Sequence, residues 1–429
     1  MNKLFDYTIN HKQDLKFISK DSKIKNLYVN CNCEIDGLYC SNIHLSTCAS
    51  IINCIVDNEI VINNPDKFIL IRNSKIDNIT INNIGVNDTS IHIEHNIVYG
   101  NITLSSFNKQ NNNVTIYIYQ NEINKKIVIN NDNFISSDAA IAITANRFPN
   151  FNQESLYAAV PEFIDVKDNY YLDGYNINFI NFNKFPNYTG YDRKLLKTYQ
   201  SYYVLENKFS FKHIAKTKIL KVLNIPQYLS FPNDPALQTG CEATACAIAL
   251  SYILNKQITK NTLASFMKQS EPGTISFWES FIGDIYHDGW GCMSTVSVDA
   301  INNYLVTNNL DQEYEVINTT NTPLYELLPF INRGIPVIVW CTMGNNEKMY
   351  HKKFGSTKWK IKEQNLYWPG NDHSLVIVGY NIATNKIYLA DPEVDSTKIR
   401  ERNLFEFENR FTELYSQSIL IIKKNNKTK

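Results

Sequence analysis

The sequence predicts a multi-domain protein in which an all-β parallel β-helix is followed by an α+β domain. Three observations lead to this prediction: a length of 429 residues, a repeated asparagine pattern in the first half, and helical periodicity in the second half. A chain of this length exceeds one ordinary hydrophobic core. We predict an N-terminal cap or arm at 1–25, the β-helix at 26–212 and the second domain at 213–429.

Composition excludes some classes of partner. Lys and Arg total 42, as do Asp and Glu, so no net charge favours nucleic acid or an anionic membrane. The first residues, MNKLFDYTINHKQDLKF, contain no apolar signal core, and no apolar run reaches membrane-spanning length. We therefore expect a cytoplasmic location without a membrane span. We also expect the nine cysteines to be free thiols in a reducing compartment.

One template, apolar-x-apolar-x-x-Asn-x-apolar, recurs along the first half. It fits around Asn96, Asn121, Asn146, Asn169 and Asn207, with Ser74 as a variant of the same position. This spacing is typical of one coil of a parallel β-helix, whose inward apolar residues are buried only when coils stack. Asn tolerates left-handed backbone, and its amide can bond the Asn of the next coil. Alternation alone would fit a β-sandwich equally well. The fixed Asn phase favours the β-helix, and the repeat resembles those of the right-handed, pectate-lyase-like β-helices.

The first half shows no pattern for catalysis. Cleavage of polysaccharides needs clustered carboxylates, and those of this region do not share one phase of the repeat: Asp57, Asp77, Asp88, Glu94 and Glu122. Five cysteines lack the paired spacing of a metal site, so we expect small core residues, with a metal or redox role as the alternative: Cys31, Cys33, Cys40, Cys48 and Cys54. We predict scaffolding or recognition, with no metal and no cofactor.

Residues 172–201 are rich in Tyr, Phe and Asn, and we interpret them as an inserted loop. An exposed aromatic cluster there is an alternative site for a carbohydrate or protein ligand on the β-helix.

The second half contains a cysteine at a predicted helix start. Thr239 and Glu242 have capping-box spacing, which predicts a helix beginning at Thr239. Cys241 would then lie in the first turn, where the helix dipole favours the thiolate. Cys246 falls on the apolar face and is expected to be inert. The pattern makes Cys241 a candidate nucleophile.

A cysteine nucleophile needs a base and a group that orients the base. His373 precedes the buried-strand pattern SLVIVGY, and the next strand, KIYLA, ends at Asp391. In an antiparallel hairpin with a symmetric five-residue connection, Asp391 lies nearly opposite Leu375 and shares a face with His373. A slip of one residue would place them on opposite faces. In this register His373 is the candidate base and Asp391 its orienter.

The segment LNIPQYLSFPNDPALQTGCEATACAIALSYI resembles the start of the C39-like peptidases, a papain-like family. Further matches over about 220–423 are FIGDIYHDGWGC, GIPVIVWCT, NDHSLVIVGY and IYLADP. The resemblance implies an α+β papain-like fold and a cysteine peptidase acting on a peptide or protein substrate. It also implies Cys241 as nucleophile, His373 as base and Asp391 as orienter.

The family places a Gln upstream of the nucleophile, where its amide helps to hold the oxyanion with the cysteine N–H. Here Gln238 lies three residues before Cys241, and Gln227 lies fourteen before it. We predict Gln238 as the donor and keep Gln227 as the alternative. Trp290 and Gly240 are candidate substrate-binding residues, with ordinary packing as the alternative for Trp290.

Three functions fit these residues. The first is hydrolysis of a peptide or amide bond through a thioester. An amine in place of water would make the same site a peptide transferase or cyclase. The third is a binding protein whose peptidase domain is degenerate.

Overall fold

The computed structural model divides the chain into two compact units, Met1–Asn187 and Tyr188–Lys429. The boundaries expected at 25/26 and 212/213 stay predictions. The structure describes residues 5–19, 23–108, 112–131, 139–160, 164–167, 169–174, 176–180, 182, 215–230, 234–343, 356–361, 364–369 and 371–424.

The first unit is built from short strands. Its elements begin with β1 (Phe5–Ile9), a 3-10 helix (Lys12–Phe17), β2 (Lys23–Val29), β3 (Cys33–Asp36), β4 (Tyr39–Leu45), β5 (Ala49–Ile52), β6 (Ile55–Asn63), β7 (Lys67–Arg72), β8 (Lys75–Asn82) and β9 (Thr89–Glu94). They continue with β10 (Ile97–Val98), β11 (Ile102–Leu104), β12 (Val114–Tyr119), β13 (Glu122–Ile123), β14 (Ile127–Ile129), β15 (Ala139–Thr144), β16 (Leu156–Ala158), β17 (Ile164–Lys167), β18 (Tyr170–Asp173) and β19 (Asn176–Phe179).

These strands form two parallel sheets, and from β2 to β9 successive strands alternate between them. One sheet has the order β1-β2-β4-β6-β8-β11-β14-β16, and the other has the order β17-β15-β12-β9-β7-β5-β3. Beyond β9 the alternation continues, with the two-residue strands β10 and β13 pairing off the main path. The expected large region of parallel strands is therefore present.

Apolar side chains are stacked in register across one sheet. Ile69, Ile91, Ile116, Ile141 and Ile164 are successive partners from β7 to β17. All five are buried in the core of this unit. Because one strand cannot bury its own inner face, each isoleucine depends on the strands stacked beside it.

A ladder of buried asparagine amides runs beside this column. Asn96 Nδ2 donates to Asn121 Oδ1, Asn121 Nδ2 to Asn146 Oδ1, and Asn146 Nδ2 to Asn169 Oδ1, each at 3.0 Å. Ser74 ends the ladder through its backbone N–H, which donates to Asn96 Oδ1 at 3.0 Å. The predicted amide ladder is thus confirmed from Ser74 to Asn169.

The expected left-handed backbone lies one residue earlier than predicted. Positive φ occurs at the residue before four of the five ladder positions, namely at Asn73, His95, Gln120 and Ala145, and the residue before Asn169 lies outside the described residues. The ladder residues themselves do not have positive φ. The turn therefore forms at the preceding residue, and the ladder Asn is needed for its amide. The template match at Asn207 lies outside the described residues.

Part of the predicted inserted loop is a hairpin. β18 and β19 pair antiparallel, with Tyr170 opposite Phe179. From 183 onward the predicted insert lies outside the described residues.

The cysteines are free, as expected, and four of the five in the first unit are buried. Burial raises the pKa of Cys40 to about 12 and that of Cys54 to about 11. Such thiols behave as small apolar core residues.

The second unit combines helices with antiparallel strands. Its elements are β20 (Thr217–Ile219), α1 (Cys241–Ile253), α2 (Lys260–Ala264), β21 (Gln269–Ser270), β22 (Phe281–Gly283), β23 (Gly289–Gly291), α3 (Ser294–Thr307), β24 (Tyr314–Asn318), α4 (Leu324–Asn332) and β25 (Val337–Thr342). They continue with β26 (Ser356–Ile361), β27 (Gln364–Pro369), β28 (Asp372–Asn381), β29 (Lys386–Ala390), β30 (Arg400–Asn403), α5 (Leu404–Glu413) and β31 (Ser418–Lys423).

Its main sheet has the order β24-β31-β25-β28-β29-β30, and β20 pairs with β28. All of these pairings are antiparallel. α1 packs against β28, and α5 packs against β25. The unit is therefore α+β, and its longest strand lies against the helix that begins at Cys241.

The capping-box prediction is wrong. α1 begins at Cys241, and its N-cap is Gly240, with no side-chain capping bond. Thr239 Oγ1 instead donates to the carbonyl oxygen of Asp284 at 3.1 Å, and the Glu242 side chain turns inward. Cys241 nevertheless lies in the first turn, as predicted.

Among the described residues, no helix is both long and apolar enough to cross a membrane.

Candidate functional site

Cys241 occupies the first position of α1, where the backbone N–H groups of the first turn have no partners within the helix. Its side chain is half-buried. The thiol also lies close enough to the Ser374 backbone N–H for that group to lower its pKa. Because Ser374 follows His373, the helix start and the start of β28 meet at the sulfur.

His373 and Asp391 are brought together by the β28–β29 pairing. Val376 lies opposite Ala390, so Asp391 comes opposite Leu375, as predicted. His373 Nε2 is 2.8 Å from Asp391 Oδ1, and both side chains are buried. Since Nε2 faces the carboxylate, Nδ1 is the ring nitrogen left to exchange a proton with a thiol.

Asp391 is held as an anion by several donors. Besides His373, the Glu393 N–H donates to Oδ1 at 3.0 Å, and Arg400 Nη1 donates to Oδ2 at 2.5 Å. Burial alone would raise the pKa of Asp391, but His373 and Arg400 hold it below its usual value. Asn224 Nδ2 fixes the backbone by donating to the Asp391 carbonyl oxygen at 2.9 Å.

The charge of Asp391 acts on the histidine. Burial lowers the pKa of His373, but the adjacent Asp391 carboxylate outweighs it and leaves the pKa raised. The pair can therefore hold a proton on the imidazole between two steps of a reaction.

The thiol itself is not in the expected state. Cys241 Sγ donates a hydrogen bond to Glu242 Oε2 at 3.2 Å. Burial raises the pKa of Cys241 well above its usual value, and the negative charges of Glu242 and Asp372 raise it further. The prediction that the helix dipole favours the thiolate is therefore wrong for this resting arrangement, because neighbouring acids and burial outweigh the dipole.

The two candidate oxyanion donors lie in different environments. Gln238 is exposed, whereas Gln227 is 2% exposed. The Gln227 backbone N–H donates to the Pro392 carbonyl oxygen at 2.8 Å, next to Asp391. Its Oε1 has no hydrogen-bond partner within the part of the chain that the structure describes.

The predicted substrate-binding residues are placed as follows. Gly240 is buried, and a Cβ there would come within 2.6 Å of the Leu237 side chain, so close packing requires glycine. Trp290 is 39% exposed, and its ring centroid is 6.2 Å from that of Trp368. Trp290 thus both packs on a neighbour and presents a face to solvent.

Sequence reasoning missed three site residues. Arg400 binds Asp391 from the adjacent strand β30, a contact that needs the sheet order to be known. Tyr228 lies near the thiol: burial raises its pKa to about 12, and the charges of Glu393 and Cys241 contribute. Glu242 was assigned to a cap, although its position directly after the cysteine was the available signal.

The first unit contains a second hydrogen-bonded chain on β9. Ser90 Oγ is 2.7 Å from His92 Nε2, and His92 Nδ1 is 3.2 Å from Glu94 Oε1. Alternation along the strand places the three on one face. All three are at most 1% exposed, so a substrate does not reach Ser90 in this arrangement.

Most of the second unit is similar to a known protein family. Residues 219–419 match the Peptidase_C39 like family. The match confirms the resemblance noted in the sequence and supports a peptidase-like function for this region. No curated protein gives a significant match to the chain.

The solved structures that are similar to part of the chain include two bacterial proteins. A protein from Bacillus anthracis, described as a C39-like peptidase, is 24% identical with a TM-score of 0.40, over 48% of this chain and 98% of that one. Xylellain, a cysteine protease from Xylella fastidiosa, is 12% identical with a TM-score of 0.30, over 50% of this chain and 88% of that one.

Proposed function

We propose that the chain is a cysteine peptidase that cleaves a peptide or amide bond of a peptide or protein substrate. The observation that carries this proposal is the buried His373–Asp391 pair, because Ser374, the residue after His373, brings its backbone N–H to the helix-start thiol of Cys241. The match of 219–419 to the Peptidase_C39 like family supports the same reaction class.

In the proposed reaction, His373 Nδ1 takes the proton of the Cys241 thiol, and the thiolate attacks the substrate carbonyl carbon. The protonated His373, stabilised by Asp391, then gives its proton to the leaving amine. A thioester on Cys241 remains. His373 activates the water that hydrolyses it, which restores the thiol.

The oxyanion of each tetrahedral intermediate needs two donors. The Cys241 backbone N–H at the start of α1 is the first. For the second, burial and the contact with Pro392 favour Gln227, whereas Gln238 is exposed. Separate Gln227→Ala and Gln238→Ala variants decide between them, since only loss of the true donor lowers kcat by about 10²-fold or more.

We propose that the first unit is a parallel β-helix that serves as a scaffold or recognises the target. The alternation of strands between two parallel sheets and the ladder from Ser74 to Asn169 support this assignment. Removal of the first unit should then change which proteins are cleaved, while the class of bond cleaved, a peptide or amide bond, stays the same.

The test is incubation of the purified chain with peptide libraries, followed by mass spectrometry. Cleavage should occur and should be lost in Cys241→Ala and in His373→Ala. Cys31→Ala is the matched control and should cleave normally, because it removes a thiol that is half-buried like that of Cys241 but lies in the first unit. Cleavage that survives Cys241→Ala would overturn the proposal. Adding an amine in the same assay shows whether water or an amine resolves the thioester.

A further inference from the structure

Glu242 lies where a helix-start carboxylate ordinarily faces solvent, yet it is 0% exposed. Each of its oxygens has a defined donor. Oε2 accepts the Cys241 thiol proton at 3.2 Å, and Oε1 accepts the Cys292 backbone N–H at 2.6 Å. The carboxylate therefore links the candidate nucleophile to the chain that leads into α3.

The space for this carboxylate is built by a glycine. Gly291 has φ +124°, a conformation that L side chains rarely adopt, and a Cβ there would lie 2.5 Å from Glu242 Oε1. The same Cβ would come within 3.2 Å of the Trp368 ring. Gly291 thus leaves room for Glu242, and the Cys292 N–H fixes its orientation.

The groups that face Glu242 are mostly acids. They come from α1 itself, from the segment before α3 and from β28: Cys241, Cys246, Cys292, Asp372 and His373. Burial raises the pKa of Asp372 well above its usual value, and the charge of Glu242 raises it further. His373 is the one base among these groups. Burial raises the pKa of Glu242 itself, whereas the Cys292 N–H and the Cys241 thiol, which donate to its oxygens, favour the anion. In its anionic form Glu242 opposes formation of a second negative charge on the sulfur.

We infer that Glu242 is a positioning residue that holds Cys241 in a resting, protonated state by accepting the hydrogen bond of its thiol. This inference rests on the proposed function. Activation is then a rotation of the Cys241 side chain from Glu242 Oε2 towards His373, which accepts the proton at Nδ1. No bond other than S–H and N–H changes, and the proton lost by sulfur is the one gained by the imidazole.

The test is the rate of alkylation of Cys241 by iodoacetamide as a function of pH, followed on its tryptic peptide by mass spectrometry. Glu242→Gln keeps an acceptor for the Cys292 N–H but removes the negative charge of the carboxylate that lies beside the thiol. We expect its profile to move to lower pH, with alkylation at neutral pH at least about tenfold faster than in the wild type. Glu408→Gln, at a buried glutamate on α5, is the matched control and should follow the wild type.

A profile for Glu242→Gln that overlies the wild type, or that moves to higher pH, would overturn the inference. Glu242→Asp is the second variant and covers the case in which Glu242→Gln does not fold. It keeps the charge but shortens the reach to the thiol, so a smaller acceleration is expected, and an unchanged rate would count against the inference.

The same assay separates this inference from the proposed function. Alkylation needs no peptide substrate, so the Glu242 effect is measurable even if no peptide is cleaved. If the wild type cleaves no peptide and His373→Ala does not alter alkylation, the proposed function fails while a Glu242→Gln shift still stands. If peptide cleavage is normal but Glu242→Gln has no effect on the profile, only the inference fails.

Discussion

The two units of the chain place their important residues in opposite ways. In the first unit, equivalent positions recur at a nearly constant spacing and lie in register, as the column from Ile69 to Ile164 shows. In the second unit, a strand pair joins His373 to Asp391, and the residue after His373 reaches the thiol of Cys241 at a helix start more than a hundred residues earlier in the sequence. Repetition distributes stability over many similar contacts, whereas the site depends on a few unlike ones.

This difference predicts how each unit responds to damage. Loss of one contact in the first unit should lower stability by a limited amount, because neighbouring strands supply the remaining contacts. Loss of one partner in the site should remove most of the activity, because residues that act together in catalysis are not additive.

The largest effect is expected for Asp391→Asn. The amide keeps the size of the side chain, but its NH₂ group donates a hydrogen bond to His373 where the carboxylate accepted one. This favours the wrong tautomer of the imidazole, so kcat should fall on the order of 10³- to 10⁴-fold. Asp395→Asn, at an exposed carboxylate of the same loop, is the control and should retain activity. Peptide hydrolysis measures both, and comparable activity in the two variants would contradict the role of Asp391.

A core truncation in the first unit comes next. Ile118→Ala removes a buried side chain of β12 and should cost about 2–5 kcal/mol of unfolding free energy. Ile55→Ala, at a 46% exposed position, should cost less than about 0.5 kcal/mol. All five tryptophans belong to the second unit, so circular dichroism should register the loss in urea melts while tryptophan fluorescence does not. If the fluorescence transition of Ile118→Ala shifted in urea as much as the circular dichroism transition, the contrast between the two units would be contradicted.

A smaller loss is expected in the ladder. Asn121→Ala removes the Nδ2 donor to Asn146 and the Oδ1 acceptor for Asn96. Asn146 Oδ1 still accepts the Asn121 backbone N–H at 3.0 Å, so the loss should be about 1–3 kcal/mol in total. Asn58→Ala breaks an exposed bond of 2.7 Å to Asn42 and should change stability by less than about 0.5 kcal/mol. Urea melts followed by circular dichroism compare the two. Equal losses would mean that the ladder is not a stabilising feature.

The smallest effect concerns acid stability of the second unit. The lowered pKa of Asp391 contributes stability that is present above its unfolded-state pKa of about 3.9 and is lost as pH falls through the folded-state pKa. Arg400→Gln removes a cation that lowers this pKa, so the loss should begin at higher pH than in the wild type. Acid titration followed by tryptophan fluorescence measures the onset. An onset at the same pH would show that Arg400 does not hold the carboxylate anionic.

Local pattern was sufficient for much of the fold. The alternation and spacing around Asn96, Asn121 and Asn146 predicted inward apolar residues and an amide ladder, because both depend on neighbours one repeat away. The position of left-handed backbone was misplaced by one residue, since asparagine type alone does not say which residue turns the chain.

The hairpin that unites His373 with Asp391 shows the limit of such reasoning. A symmetric turn was assumed, but Tyr380 pairs with Ile387 near the turn, one residue out of the register seen at Val376 and Ala390. A bulge between Ile377 and Gly379 restores the register. Without that bulge the two side chains would lie on opposite faces.

The sequence by itself determined the spacing of the repeat, the place of Cys241 in the first turn of a helix and the strand pair that carries His373 and Asp391, because each follows from residue type and local periodicity. Only the tertiary structure decided the proton arrangement of the site. The Glu242 carboxylate on the thiol, the Arg400 contact with Asp391 and the burial of Gln227 all arise from segments distant in sequence. Charge interactions in a buried site depend on the distance between the charges and on the exclusion of solvent, and a local sequence pattern determines neither.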